Sequence, residues 1–196
     1  MRTSTAHRQN ADRAMVKAGP ATTQAVLEAA ARRAEARRIR KVLVASCSGR
    51  PALAAVQAFP PGVEIIAVTH VPGFAQPNHQ ELTPANRRRL EEKGVAIFTG
   101  QHAFGGVGRG IRNRLGAYQV DEIMAFTLRT FGQGTKVAVE ISLMAADAGL
   151  VRTDEDVIAI GGTVSGCDTA LLLQPANSAH VLELKVREVI VKPSAF

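Results

Sequence analysis

The sequence has no tryptophan, one tyrosine and seven phenylalanines, so aromatics make up 4% of its 196 residues. Aromatic platforms for stacking nucleic-acid bases are therefore scarce. Only two cysteines are present, Cys47 and Cys167, and neither belongs to a CxxC or Cys/His pattern. That excludes a disulfide scaffold, and the expectation is two reduced small residues with no metal site. No window holds 18 consecutive apolar residues, so no transmembrane helix is expected. The N-terminus also lacks the run of about 7–15 apolar residues of a secretory signal, so a cytoplasmic location is expected. Several motifs are missing as well: a full GxGxxG, a Walker A Gly-Lys-Ser/Thr, HExxH and a GxSxG elbow.

What is present suits a single folded domain, with 46% hydrophobic and 21% charged residues. The formal charge is +7, and it has a definite place. Residues 1–41 carry ten Lys/Arg against three acids, whereas residues 42–196 carry fourteen of each. Residues 1–18 read as a disordered basic tail and 19–196 as one domain. Nucleic-acid binding would have to use the tail, and is not expected of the neutral body.

The hydrophobic pattern alternates between helix and strand. An Ala-rich helix is predicted over 22–39, capped by Thr22 or Thr23 after Gly19-Pro20. A β-branched run at 41–45 predicts a buried strand. Ser46-Cys47-Ser48-Gly49 breaks it, and Arg50-Pro51 opens a helix to about Phe59. A second strand over 63–69 completes a βαβ unit with a right-handed crossover. The spacing then predicts a long loop over 71–81, a helix over 83–93 and a strand over 95–99. Helices follow over 121–131 and 135–148, then strands over 157–160 and 169–173, with one or two more within 182–191. Residues 101–118 show little periodicity and read as an irregular basic segment. This order argues an α/β three-layer sandwich with a mostly parallel central sheet.

Ligands of such sheets bind beyond the carboxyl ends of the strands. Three segments belong there. Ser46, Ser48, Gly49 and Arg50 offer hydroxyls, a helix N-terminus and a positive charge suited to a phosphate, or else form an ordinary turn with capping serines. Gly161, Gly162, Thr163, Gly166 and Asp168 form a second small-residue loop, where glycine permits close backbone approach. Arg109, Arg112 and Arg114 sit in the third with no acid among them, as an anion lid, an oligomer contact or a solvated loop. On the last long helix, Glu140 and Asp147 fall within about 20° of each other on an apolar surface. They line a ligand site, or they cap backbone and pair with a core cation. His70 and His102 follow strands two and three and can reach the same edge.

Certain of these residues carry a family resemblance. Residues 42–52 through 63–69 resemble the C-terminal α/β domain of pyruvate kinase, with a Ser-Gly-Arg loop after one strand and Ala-Val-Thr ending the next. Residues 149–162 are similar to that domain's last crossover. The match is closer to small stand-alone proteins of the pyruvate kinase α/β-domain-like family. It rests on Gly19-Pro20 with Thr22-Thr23, Val68-Thr69 with Gly73-Phe74, Gly132-Gln133-Gly134 with Val139-Glu140-Ile141, Met144 to Asp147, and Gly161-Gly162-Thr163 with Gly166 to Ala170. The resemblance covers about residues 19–193. It implies a flavin mononucleotide (FMN) binder of unassigned activity, with Thr69, Gly73, Glu140, Asp147 and Thr169 joining the two loops around the ligand. It does not imply pyruvate kinase catalysis, which in those enzymes sits on a separate barrel. The alternative is a non-catalytic sensor for a sugar phosphate or nucleotide, signalling through a homo-oligomer.

Overall fold

The computed structural model describes residues 20–195. The expected basic tail over 1–18 lies outside the described residues. Helix α1 (Pro20–Arg37) leads into β1 (Lys41–Ala45), whose Val42, Leu43 and Val44 have no accessible surface. Helix α2 (Arg50–Ala58) crosses to β2 (Glu64–His70), and α3 (Pro84–Glu91) leads to β3 (Ala96–Gly100). Then come α4 (Val107–Leu115), α5 (Val120–Arg129) and α6 (Gln133–Asp147). The chain ends with β4 (Val157–Gly161), β5 (Thr169–Gln174), a 3-10 helix (Ser178–Glu183) and β6 (Lys185–Val191).

The six strands form one sheet in the order β3-β2-β1-β4-β5-β6. β1, β2, β3 and β4 run parallel, β5 is antiparallel to β4, and β6 is antiparallel to β5. Side chains alternate between the two faces, as the two-residue period of a strand requires. Val42, Val44, Ile158 and Ile160 join α1 and α2 in one core, while Leu43, Val157 and Ala159 join α6 in the other. The α/β sandwich with a mostly parallel sheet is therefore present, and elements legible in the sequence shift by only a few residues.

Residues 101–118 depart from the expectation. They contain α4, whose Val107, Ile111 and Leu115 recur every fourth residue but remain exposed. That spacing is itself a helical signal, but Gly106, Gly108 and Gly110 interrupt it with the residue type that ordinarily marks a loop. Of the arginines there, Arg112 gains an acid from outside the segment and Arg109 an aromatic ring. Arg112 Nη1 lies 2.6 Å from Oε1 of the buried Glu122 on α5, and the Arg109 guanidinium stands 4.8 Å over the Phe74 ring. Among the described residues no helix is long and apolar enough to cross a membrane.

Candidate functional site at the strand ends

β1 sends its crossover to β2 on one side and has β4 as its other neighbour. Connections diverge at that point, which opens a crevice beyond the carboxyl ends. A cavity of about 1220 Å³ occupies it. Its floor includes Ala45, Val68 and Thr69, and its walls come from the loops after β1, β2, β3 and β4 together with α6.

The loop after β1 divides its residues between building the turn and facing the cavity. Ser46 is buried, and its Oγ accepts the amide of Ala52 at 3.1 Å, capping α2. Gly49 has φ +84°, and a Cβ there would lie 2.8 Å from Leu82 Cδ1, so both backbone and packing require glycine. Ser46 and Gly49 therefore shape the loop without lining the cavity. Ser48 and Arg50 do line it, with the Ser48 Oγ accepting the Arg50 amide at 3.4 Å.

The glycine loop is divided in the same way. A Cβ on Gly134 at the start of α6 would collide with the Asp168 carboxylate and the Thr169 hydroxyl, and one on Gly161 would strike the Gly134 carbonyl. These glycines let α6 lie directly against β4 and β5. Asp168 and Thr169 are buried and bonded to each other, the Thr169 hydroxyl donating to Asp168 Oδ1 at 2.7 Å. So Gly161, Asp168 and Thr169 support the cavity from behind. Gly162, Val164, Ser165 and Gly166 line it, whereas Thr163 only accepts the Ser165 amide through its carbonyl. The loop is tied to α1 by the Cys167 amide, which donates to Thr23 Oγ1 at 2.9 Å. Val164 is fully exposed with φ 59°, a left-handed conformation that is strained for a β-branched residue.

The two acids of α6 separate. Glu140 is buried and lines the cavity, ion-paired with Lys136 and accepting the Phe104 amide at 2.9 Å. Burial holds the Lys136 amine below its ordinary value, and the Glu140 charge only partly offsets this. Asp147 does not line the cavity. Two helical turns separate it from Glu140 along the axis, about 10 Å. It accepts the Ser178 amide at 2.9 Å and the Asn177 side-chain amide at 3.2 Å, anchoring the 3-10 helix. Burial works to raise its carboxyl, but these bonds and the Ser178 hydroxyl outweigh that and hold it below the usual value.

The loop after β2 supplies the remaining wall. Gly73 only makes its turn, donating its amide to the His79 carbonyl at 3.0 Å, while Phe74, His79 and Glu81 face the cavity. The rings of His70, Phe74 and His102 cluster with centroids 4.1, 4.6 and 5.0 Å apart. Both histidines thus reach the strand-end edge. Burial pushes the His102 imidazole down to about 4, with Glu140 opposing the shift. Thr69 is buried beneath them, its hydroxyl 2.9 Å from that of Thr99.

One constellation was absent from the sequence reading, in which Cys47 is only a small reduced residue. Its Sγ lies 3.1 Å from His70 Nε2, and His70 Nδ1 lies 2.6 Å from Glu81 Oε2. All three residues line the cavity. The donor atoms fall within 4.8 Å of one another. With Glu81 on Nδ1, however, only the sulfur and Nε2 converge, which is the geometry of a relay. Burial, followed by the Glu81 charge, pushes the Cys47 thiol up to about 11. Cys47 and His70 end adjacent strands of the βαβ unit, so their proximity has a sequence signal; Glu81, in an irregular loop, has none.

The family model described as pyruvate kinase, alpha/beta domain, matches residues 24–173. Among solved structures, a pyruvate kinase from Cryptosporidium parvum is 15% identical, with a TM-score of 0.44 over 89% of this chain and 27% of its own. A Cryptosporidium parvum pyruvate kinase in complex with ADP is 16% identical, with a TM-score of 0.37 over 87% and 26%. The O-methyltransferase TomG from Streptomyces achromogenes, in complex with SAM, is 15% identical, with a TM-score of 0.31 over 76% and 62%. The chain spans 27% or less of the length of the pyruvate kinases it matches. With a family model matched over more than half of its residues, this chain belongs to the pyruvate kinase alpha/beta domain family.

Proposed function

We propose that this chain binds a phosphorylated ligand carrying a flat ring system in the strand-end cavity, with FMN as that ligand. The observation that carries the reading is that two features line one cavity. A cluster of aromatic rings at His70, Phe74 and His102 offers a stacking wall. Opposite chemistry comes from Ser48 and Arg50 at the α2 N-terminus and from the backbone of Gly162 to Gly166. The resemblance to FMN-binding relatives supports the choice of ligand. Thr69 and Glu140 line the same cavity and would exchange part of their present bonding for the polar edge of the ring, while Ser46, Gly49, Gly161, Thr163, Asp168 and Thr169 act by holding the loops. Redox chemistry, where there is any, belongs to the flavin; the protein supplies binding and electrostatics.

The test is an absorption spectrum of the purified protein with added FMN, combined with calorimetry. A perturbed flavin band with one ligand bound per chain supports the reading, and no heat with an unperturbed band sinks it. A second reading, a non-catalytic sensor for a sugar phosphate or nucleotide, is favoured by the same Arg50 loop. It expects binding of a sugar phosphate that Arg50→Ala abolishes while the fold survives. Homo-oligomerisation belongs with that reading, and sedimentation velocity tests it.

A further inference from the structure

We propose that Cys47, His70 and Glu81 form a nucleophilic relay that cleaves an activated ester or thioester on an anionic carrier. The three residues stand in the order such chemistry needs: a thiol, a base in contact with it, and a carboxylate holding the far nitrogen of that base. The distances are 3.1 Å from Cys47 Sγ to His70 Nε2 and 2.6 Å from His70 Nδ1 to Glu81 Oε2. Glu81 fixes the tautomer that leaves Nε2 free to accept the thiol proton. Cys47 sits between the end of β1 and the start of α2, on a sharp turn from which it and Ser48 face the cavity. Cys167, the other cysteine, is buried and lacks this setting.

The step balances without a further reagent. Cys47 Sγ bonds to the acyl carbon as His70 Nε2 takes the thiol proton. The bond from that carbon to the carrier breaks, and the carrier's oxygen or sulfur takes the proton back from His70. Water then adds to the thioester with His70 as base, releasing the acid and restoring the thiol. The thiol rests protonated, so proton transfer accompanies attack. The carrier is anionic because Arg50, three residues beyond Cys47, and Arg109, over the Phe74 ring, line the same cavity as the relay. Other titratable groups face the same cavity from α5 (Arg129), from α6 (Lys136, Glu140), from the loop after β3 (His102) and from the loop after β2 (His79).

This inference does not rest on the flavin reading. The test uses the full chain with two probes, 4-nitrophenyl acetate and the 4-nitrophenyl monoester of succinic acid. Nitrophenolate release is followed, and the acyl adduct is mapped by peptide mass spectrometry. The adduct is expected on Cys47, forming faster from the succinyl probe. His70→Gln is expected to slow it by about 10²-fold or more, and Glu81→Gln by about tenfold. Glu81→Asp is expected to recover part of the rate that Glu81→Gln loses, because a carboxylate can again accept from His70 Nδ1; a purely structural role would show no such rescue. Circular dichroism confirms that each variant is folded. The proposal is overturned if no adduct forms on Cys47, if His70→Gln changes its rate by less than about twofold, or if both probes react equally. It is also overturned if purified protein carries stoichiometric zinc and acylates only after chelation. Flavin binding that fails while acylation survives leaves the relay standing alone.

Discussion

Lys136→Met is the most informative single change to the fold, because it strands a carboxylate. Lys136 and Glu140 are each only 2% exposed, so water reaches the pair only through the cavity they border. Removing the ammonium leaves Glu140 with the Phe104 amide as its only hydrogen-bond donor. Breaking a buried pair by deleting one partner costs about 3–5 kcal/mol. In a chain of this size that corresponds to a fall in Tm of about 10 °C. The intact pair need not be stabilising, since burial already holds the Lys136 amine below its ordinary value despite Glu140. The double variant Lys136→Met, Glu140→Gln removes both charges and keeps an acceptor for the Phe104 amide. It should lie within about 1 kcal/mol of wild type. Urea unfolding at pH 8 and pH 5 is the assay, and the single variant should recover stability at pH 5 as the orphaned carboxyl takes up a proton. A single variant within about 1 kcal/mol of wild type at pH 8 would refute the reasoning.

Three further outcomes follow from the same geometry. The folded-state pKa of His102, about 4, lies below its ordinary 6.5, so the unfolded chain binds the proton first. Stability is present above about 6.5 and falls by roughly 2–3 kcal/mol toward pH 4, and His102→Phe should flatten that part of a pH–stability curve. Gly134→Ala forces a methyl into the Asp168 and Thr169 side chains, and should cost about 1–3 kcal/mol by thermal unfolding. Asp147→Ala removes the anchor of the 3-10 helix and should cost about 1–2 kcal/mol. It should leave FMN affinity within about twofold of wild type; a larger loss in calorimetry would return Asp147 to the site.

The layers of this fold were legible because buried parallel strands announce themselves. Val42-Leu43-Val44 and Ile158-Ala159-Ile160 are continuous apolar runs, as strands covered on both faces must be. Helix α4 was missed although Val107, Ile111 and Leu115 are spaced for a helix, because Gly108 and Gly110 within it read as loop residues. The candidate site was half legible. Glycines and serines mark the loops, but composition does not say which side chain faces inward. Ser46 turns back to cap α2 while Ser48, two residues on, meets the cavity. Helical angle alone paired Glu140 with Asp147, although the rise along the axis leaves Glu140 at mid-helix beside the cavity and Asp147 at the last residue of α6. The approach of Glu81 to His70 depends on the path of an irregular loop, which no local pattern encodes.

Calorimetric titration of the full chain with FMN and with riboflavin decides whether the strand-end cavity takes a phosphorylated ring, because the two ligands differ only in the phosphate. One FMN per chain is expected, with at least about tenfold weaker binding of riboflavin and loss of that difference in Arg50→Ala. Equal affinity for the two flavins, or no binding of either, would contradict that reading.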